Sequence, residues 1–243
     1  MKYTTNVVKV KNIDDLLVEV NIYHLFLDDL SKISEIIENE IVDIWDPSIA
    51  FSLNEVKKDI YNVILTKSDN QKHGICAEFF MHLFLRNLKF SQLCLFSNLE
   101  ESSMKKGFDG LYEFSNDFWI AESKSAIVES KHKDKIKEAL NDINQRIENS
   151  KEKKKNPWKN AIHHMMIRKK DNSGSLAKKI QSLSRDYIND ISHKSYEFNI
   201  IPASTLFVDN NQSDEEITSD IKSLLLSRKF KKRIIIKWRY RRL

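Results

Sequence analysis

The chain has 243 residues, 41% of them apolar, and a formal net charge of +5. That length supports one sizeable core without a split into domains, and the composition is that of globular rather than disordered or fibrous material. No apolar run reaches the length of a membrane span, no hydrophobic leader is read at the start, and Cys76 and Cys94 lack metal-ligand spacing. A reducing cytoplasm is therefore the expected setting, with no membrane partner.

Residues 4–10 and 16–27 alternate or run apolar and predict strands. Ser31 is a candidate N-cap for a helix over 31–44, which Asp46-Pro47 ends. Residues 53–65 predict a second helix, 68–72 a polar connector, and 73–88 a strongly apolar, buried helix. A short strand is expected over 93–96. Two further strand segments follow, with Ser115-Asn116-Asp117 as the turn between them. Residues 129–150 predict a charged amphipathic helix with Ile136, Leu140, Ile143 and Ile147 as its apolar stripe. A lysine-rich, helix-breaking connector runs to Pro157, and helices are expected over 161–167 and 176–191. A strand over 200–208, a helix over 217–226 and a basic last strand complete the chain. Strands and helices alternate around the middle, so the expected fold is α/β, a mixed central sheet with helices on both faces. We expect one domain, with residues 1–68 forming an N-terminal extension packed on a core of 69–243.

The densest chemistry lies in the two middle strands. Gly107-Phe108-Asp109-Gly110 opens the first, and Ala121-Glu122-Ser123-Lys124 ends the second, after the apolar run Phe118-Trp119-Ile120-Ala121. Residues i and i+2 of a strand share a face, so Glu122 and Lys124 point the same way. A three-residue loop with Phe114 opposite Phe118 would set Asp109 against Ser123, on the wrong face. A loop one residue shorter or longer, or a bulge at Gly110, would align all three charged groups, and a bulge or bend is expected there. Two carboxylates and an ammonium group on the end of an interior strand are costly unless a divalent cation and a phosphate complete the set.

Asp109, a dozen residues, then Glu122-x-Lys124 at the end of an apolar strand resembles the PD-(D/E)xK nuclease superfamily, with Phe108 where proline is often found. The wider pattern is His73-Gly74-Ile75-Cys76-Ala77-Glu78-Phe79-Phe80-Met81-His82-Leu83-Phe84-Leu85-Arg86, then Lys106-Gly107-Phe108-Asp109-Gly110, then Glu122-Ser123-Lys124. It resembles the nuclease subunit family of the Hachiman anti-phage system (HamA-like), over roughly residues 70–150. The resemblance implies a restriction-endonuclease-like fold and a DNA nuclease of low sequence specificity, under the control of a helicase-type ATPase partner. It also implies that Glu78 completes a metal site with Asp109 and Glu122. Hard oxygen donors suit Mg²⁺, with Mn²⁺ as a substitute, and the Ser123 backbone carbonyl is a further candidate ligand. Lys124 would orient the attacking water and offset charge on the phosphate. By its residues alone, Glu78 reads equally as a first-turn acid favoured by the helix dipole.

Candidate nucleic-acid contacts are Lys131 and Lys135, which share a helix face, and Lys237, Arg239 and Arg241 in the tail. Residues 228–243 hold nine Lys and Arg and no acid. Ile234, Ile236, Trp238 and Tyr240 alternate with these charges, which predicts a strand with one packed and one basic face. That basic face reads as a phosphate-contacting rim, as a solubilising edge strand, or as a surface for an acidic partner. His163-His164 are adjacent, so they do not share a helix face and are not read as ligands; His73 and His82 are read as structural. A site-specific restriction-type endonuclease and an inactive binding module remain the alternative functions. The first needs a base-reading element, and no helix-turn-helix or finger signature is visible.

Overall fold

Seven strands carry the fold of the computed structural model, which describes residues 2–11, 15, 17–26, 30–47, 50–96, 107–127, 129–148, 156–169, 174–207, 212–229 and 231–239. They are β1 (Lys2–Lys11), β2 (Leu17–Phe26), β3 (Ser91–Gln92), β4 (Gly110–Phe114), β5 (Asp117–Ala126), β6 (Asn199–Leu206) and β7 (Lys232–Arg239). The helices are α1 (Leu30–Trp45), α2 (Leu53–Leu65), α3 (Asp69–Asn87), α4 (His132–Ile147), α5 (Pro157–Lys169), α6 (Ser175–Ile188) and α7 (Asp214–Leu226). The strands form one sheet in the order β1-β2-β7-β6-β5-β4-β3. β2, β7, β6 and β5 run parallel to one another, while β1, β4 and β3 pair antiparallel to their neighbours. The expected α/β architecture, a mixed sheet covered on both sides, is what the chain adopts.

The two faces have separate cores. Met81, Phe84 and Leu85 of α3 pack on Trp119, Ala121, Ile201, Ile236 and Trp238. On the other face, α4, α5, α6 and α7 cover Phe118, Ile120, Ile200, Ile235, Val8 and Val20. α1 and α2 lie outside α3, joined to it through Ile41, Ile44, Val56 and Leu83. The extension expected over 1–68 therefore supplies two strands of the common sheet, through β2 and β7, as well as helices packed on the core.

Local chemistry sets several boundaries. Glu55 accepts the Ser52 amide at 2.7 Å while Ser52 Oγ accepts the Glu55 amide, a reciprocal cap that starts α2 where expected. α3 begins four residues before His73, because the polar run read as a connector is its cap and first turn: the Gln71 amide oxygen accepts the Ser68 N–H at 3.0 Å. Pro157 likewise opens α5 rather than closing a connector. Asn156 Oδ1 accepts the Trp158 and Lys159 amides at 3.0 and 3.1 Å, and proline fits the first helical position. α1 starts at Leu30, so Ser31 is not its cap. The short strand expected over 93–96 is instead Ser91–Gln92.

The last strand departs most from expectation. β7 lies between β2 and β6, not at an edge. Both of its faces are buried, with Arg233, Ile235 and Lys237 enclosed as fully as Ile234, Ile236 and Trp238. It has no basic, solvent-facing side over this stretch.

Candidate active site

The hairpin of β4 and β5 settles the register. Its loop is two residues long, Ser115 and Asn116, with φ of 52° and 61°. Two successive left-handed residues twist the chain in the sense the strands require. Phe114 then pairs with Asp117 and Gly110 with Ala121, so Asp109 falls opposite Glu122. The shorter of the two permitted loops does this without the expected bulge, although Asp109 itself sits at a bend. Gly110 is required for another reason. A β-carbon there would lie 2.6 Å from Tyr112 Cε2 and 3.2 Å from the Ala121 side chain.

Asp109, Glu122 and Lys124 converge, and α4 adds two groups that the sequence reading missed. Asp109 Oδ2 accepts the Ser123 amide at 2.8 Å, closing the ladder just beyond the end of β4. Lys124 Nζ donates to Glu122 Oε1 at 2.9 Å and lies 2.6 Å from Asp142 Oδ2. Arg146 Nη1 donates to the second oxygen of Glu122, and its Nη2 is 4.0 Å from Asp142. Asp142 and Arg146 are one turn apart on α4, beside the apolar stripe that packs on the sheet. Their only sequence signal was that i, i+4 spacing next to a correctly read stripe.

The electrostatics follow from burial. The Glu122 side chain has no solvent exposure. Burial raises its pKa to about 7, the negative charge of Asp109 adds to the rise, and Arg146 and Lys124 oppose it. For Lys124, burial alone would lower the pKa, but the charge of Glu122 and the hydrogen bonds to Asp142 and Glu122 raise it instead. Three carboxylates thus face two cations inside a mostly enclosed space. A divalent cation would turn that residual negative charge to advantage.

Among the described residues, no group of three or more His, Cys, Asp and Glu side chains is arranged to hold a metal ion. Mg²⁺, however, commonly uses one or two carboxylates and fills its remaining positions with water and substrate phosphate. Asp109 and Glu122, hard-oxygen donors aligned across one hairpin, fit that requirement as a pair. Glu78 is not gathered with them. It lies on α3, which packs on the Trp119–Ala121 side of β5, whereas Glu122 points to the α4 side. There its carboxylate is 3.6 Å from His82 Nε2. The Ser123 carbonyl points to the same strand edge as its amide, toward Asp109.

The candidate phosphate contacts are scattered. Lys131 is exposed just before α4, and Lys135 Nζ is bound to both oxygens of Glu138 at 2.8 and 2.9 Å. Lys237 is not on a solvent rim: it is 1% exposed, and its Nζ lies 2.5 Å from Asp214 Oδ1, beside the buried His24. The Arg239 side chain and Arg241 lie outside the described residues. His164 Nδ1 accepts the Leu95 amide at 3.1 Å, and His82 bonds the Tyr112 hydroxyl, so both act in the packing.

No family model matches the chain, and no curated protein matches it. Among the described residues no helix is long and apolar enough to cross a membrane.

Proposed function

We propose that this protein is a Mg²⁺-dependent nuclease of the PD-(D/E)xK type that hydrolyses DNA phosphodiester bonds. The observation that carries the reading is the convergence of Asp109, Glu122 and Lys124 at the end of one hairpin, with Glu122 buried between two cations. Asp109 and Glu122 would hold the ion, which supplies a Lewis acid and a bound water of lowered pKa. The Ser123 amide keeps the Asp109 carboxylate aimed across the strand pair. Arg146 fixes the second oxygen of Glu122, and Asp142 holds Lys124 from the far side. Lys124 and Arg146, each roughly a quarter to a third exposed, both reach solvent, and the charge of Lys124 would offset that of the phosphate oxygens.

The Hachiman resemblance extends this reading to antiviral defence in the cytoplasm, with a helicase-type ATPase restraining cleavage until it engages DNA. Co-expression of the chain with an ATPase encoded beside its gene should yield a stable complex that cuts less than the free chain. Separate elution and uncontrolled cutting would remove the partner from the proposal and leave the nuclease.

One observation favours a second reading, a metal-independent binding module. The charged groups already satisfy one another: both oxygens of Glu122 are bonded, and Asp109 serves a backbone amide. Cleavage assays with Mg²⁺ and Mn²⁺ on wild type, Asp109→Asn, Glu122→Gln and Lys124→Ala separate the two. The nuclease reading expects cutting in wild type only, with all four proteins folded. No cutting by folded wild type with either ion would leave the binding module.

A further inference from the structure

Behind Asp109, on the opposite face of the sheet, two buried side chains and a partly exposed carboxylate lie in a row that the proposed chemistry does not use. The Tyr112 hydroxyl is 2.5 Å from His82 Nδ1, and His82 Nε2 is 3.6 Å from Glu78 Oε1. Tyr112 and His82 have no solvent exposure. Burial, and then the charge of Glu78, raises the Tyr112 phenol well above its ordinary range, and the hydroxyl shares a short hydrogen bond with His82 Nδ1. His82 Nε2 faces the Glu78 carboxylate at a distance longer than a hydrogen bond. The order is carboxylate, imidazole, hydroxyl, and the hydrogen bond between the imidazole and the hydroxyl restrains the Tyr112 ring.

What this row holds is the ring of Tyr112, and the ring lies against Gly110. A β-carbon at Gly110 would meet Tyr112 Cε2 at 2.6 Å and the Tyr112 hydroxyl at 3.1 Å. Gly110 is the first residue of β4 and the neighbour of Asp109. Among the described residues the β4–β5 ladder ends at Gly110, and just beyond it the Asp109 carboxylate accepts the Ser123 amide. The ring therefore backs the backbone at the position where the aim of Asp109 is set.

We propose that Tyr112, held by His82 with the Glu78 carboxylate behind it, is a positioning residue for Asp109, acting through the Gly110 backbone. The inference rests on the nuclease reading for its functional meaning, but the positioning can be measured without it. It also gives Glu78 a task on the α3 face, in place of the ligand role that the family resemblance implied.

The test uses Tyr112→Phe, which removes only the hydroxyl, and Glu78→Gln, at the solvent end of the row. Hydrogen exchange at the Ser123 amide reports the Asp109 bond in the full-length protein, without metal or substrate. Both variants should speed that exchange by about tenfold while leaving the Ile120 and Ile200 amides unchanged. The Mg²⁺ concentration for half-maximal cleavage should rise about ten- to a hundredfold, with a smaller change in kcat at saturating Mg²⁺. Unchanged Ser123 exchange in both folded variants would overturn the inference. So would exchange that rises equally at Ile120 and Ile200, which marks general loosening of the sheet. Faster Ser123 exchange in a protein that never cuts would uphold the positioning and sink the nuclease reading alone.

Discussion

A carboxyl group with no exposure, set beside a second carboxylate, keeps its proton to higher pH than a free glutamate does. For Glu122 the pKa moves from an ordinary 4.5 to about 7. Between those values the folded state binds the extra proton. Its contribution to stability is thus complete below about 4.5 and is lost as pH rises through about 7. The difference amounts to about 3 kcal/mol. In chelator, wild type should melt lower at pH 8 than at pH 5.5, and subtracting the pH profile of Glu122→Gln should isolate this component. Mg²⁺ should raise the melt most at pH 8, where both carboxylates are ionised; an equal effect at both pH values would count against metal at this site. Asp109, Glu122 and Lys124 were legible in the sequence because strand periodicity puts i and i+2 on one face. Asp142 and Arg146 were not, since reading them requires knowing how α4 is rotated over the sheet. Glu78 was misplaced for a similar reason: its helix was correctly read as buried, but sequence does not say against which face.

Elements were read best where one periodicity dominated, as in α2 and α4. The hairpin was recognised but left with a choice of loop, since Asp117 is as acceptable in a turn as at a strand start. Ser115 and Asn116 both take left-handed backbone, which serine tolerates poorly and Asn-Gly well. Replacing Ser115-Asn116 by Asn-Gly should stabilise the protein by about 0.5–1 kcal/mol in denaturant titrations with cleavage unchanged. A loss of activity would show that the register had moved. β7 misled for a different reason. Its Lys237 alternates with apolar residues as on a wet edge strand, yet it is buried, because Asp214 at the start of α7 meets it. Asp214→Ala should cost about 3 kcal/mol, since it strands the lysine inside, while Lys237→Met should cost clearly less. Urea melts of the two variants decide this. The reverse order would mean that the ammonium group, rather than its counter-ion, holds the strand.

At the scale of the molecule, the boundary expected near residue 68 does not divide the sheet, because β2 pairs directly with β7. A fragment of residues 69–243 would expose the whole β2-facing edge of β7 and uncover the core that Val8, Val10, Val20 and Ile22 share with Ile235 and α7. It should be insoluble or lack a cooperative melt. A soluble fragment with a sharp transition would show that the core of 69–243 folds without the extension. The position of β7 also bears on the order of events at the ribosome. The β1–β2 hairpin is made first, but the strand that joins it to the rest of the sheet is made after all the others. Until residues 232–239 leave the exit tunnel, the hairpin has no parallel neighbour, and two halves of one sheet wait with facing edges bare. Nascent chains stalled before residue 232 should be cut readily by a protease that spares the released protein. On the proposed nuclease reading, a cell making this protein would hold a cleavage-competent fold only after residues 232–239 had been delivered, so connectivity alone would delay the activity until β7 is in place.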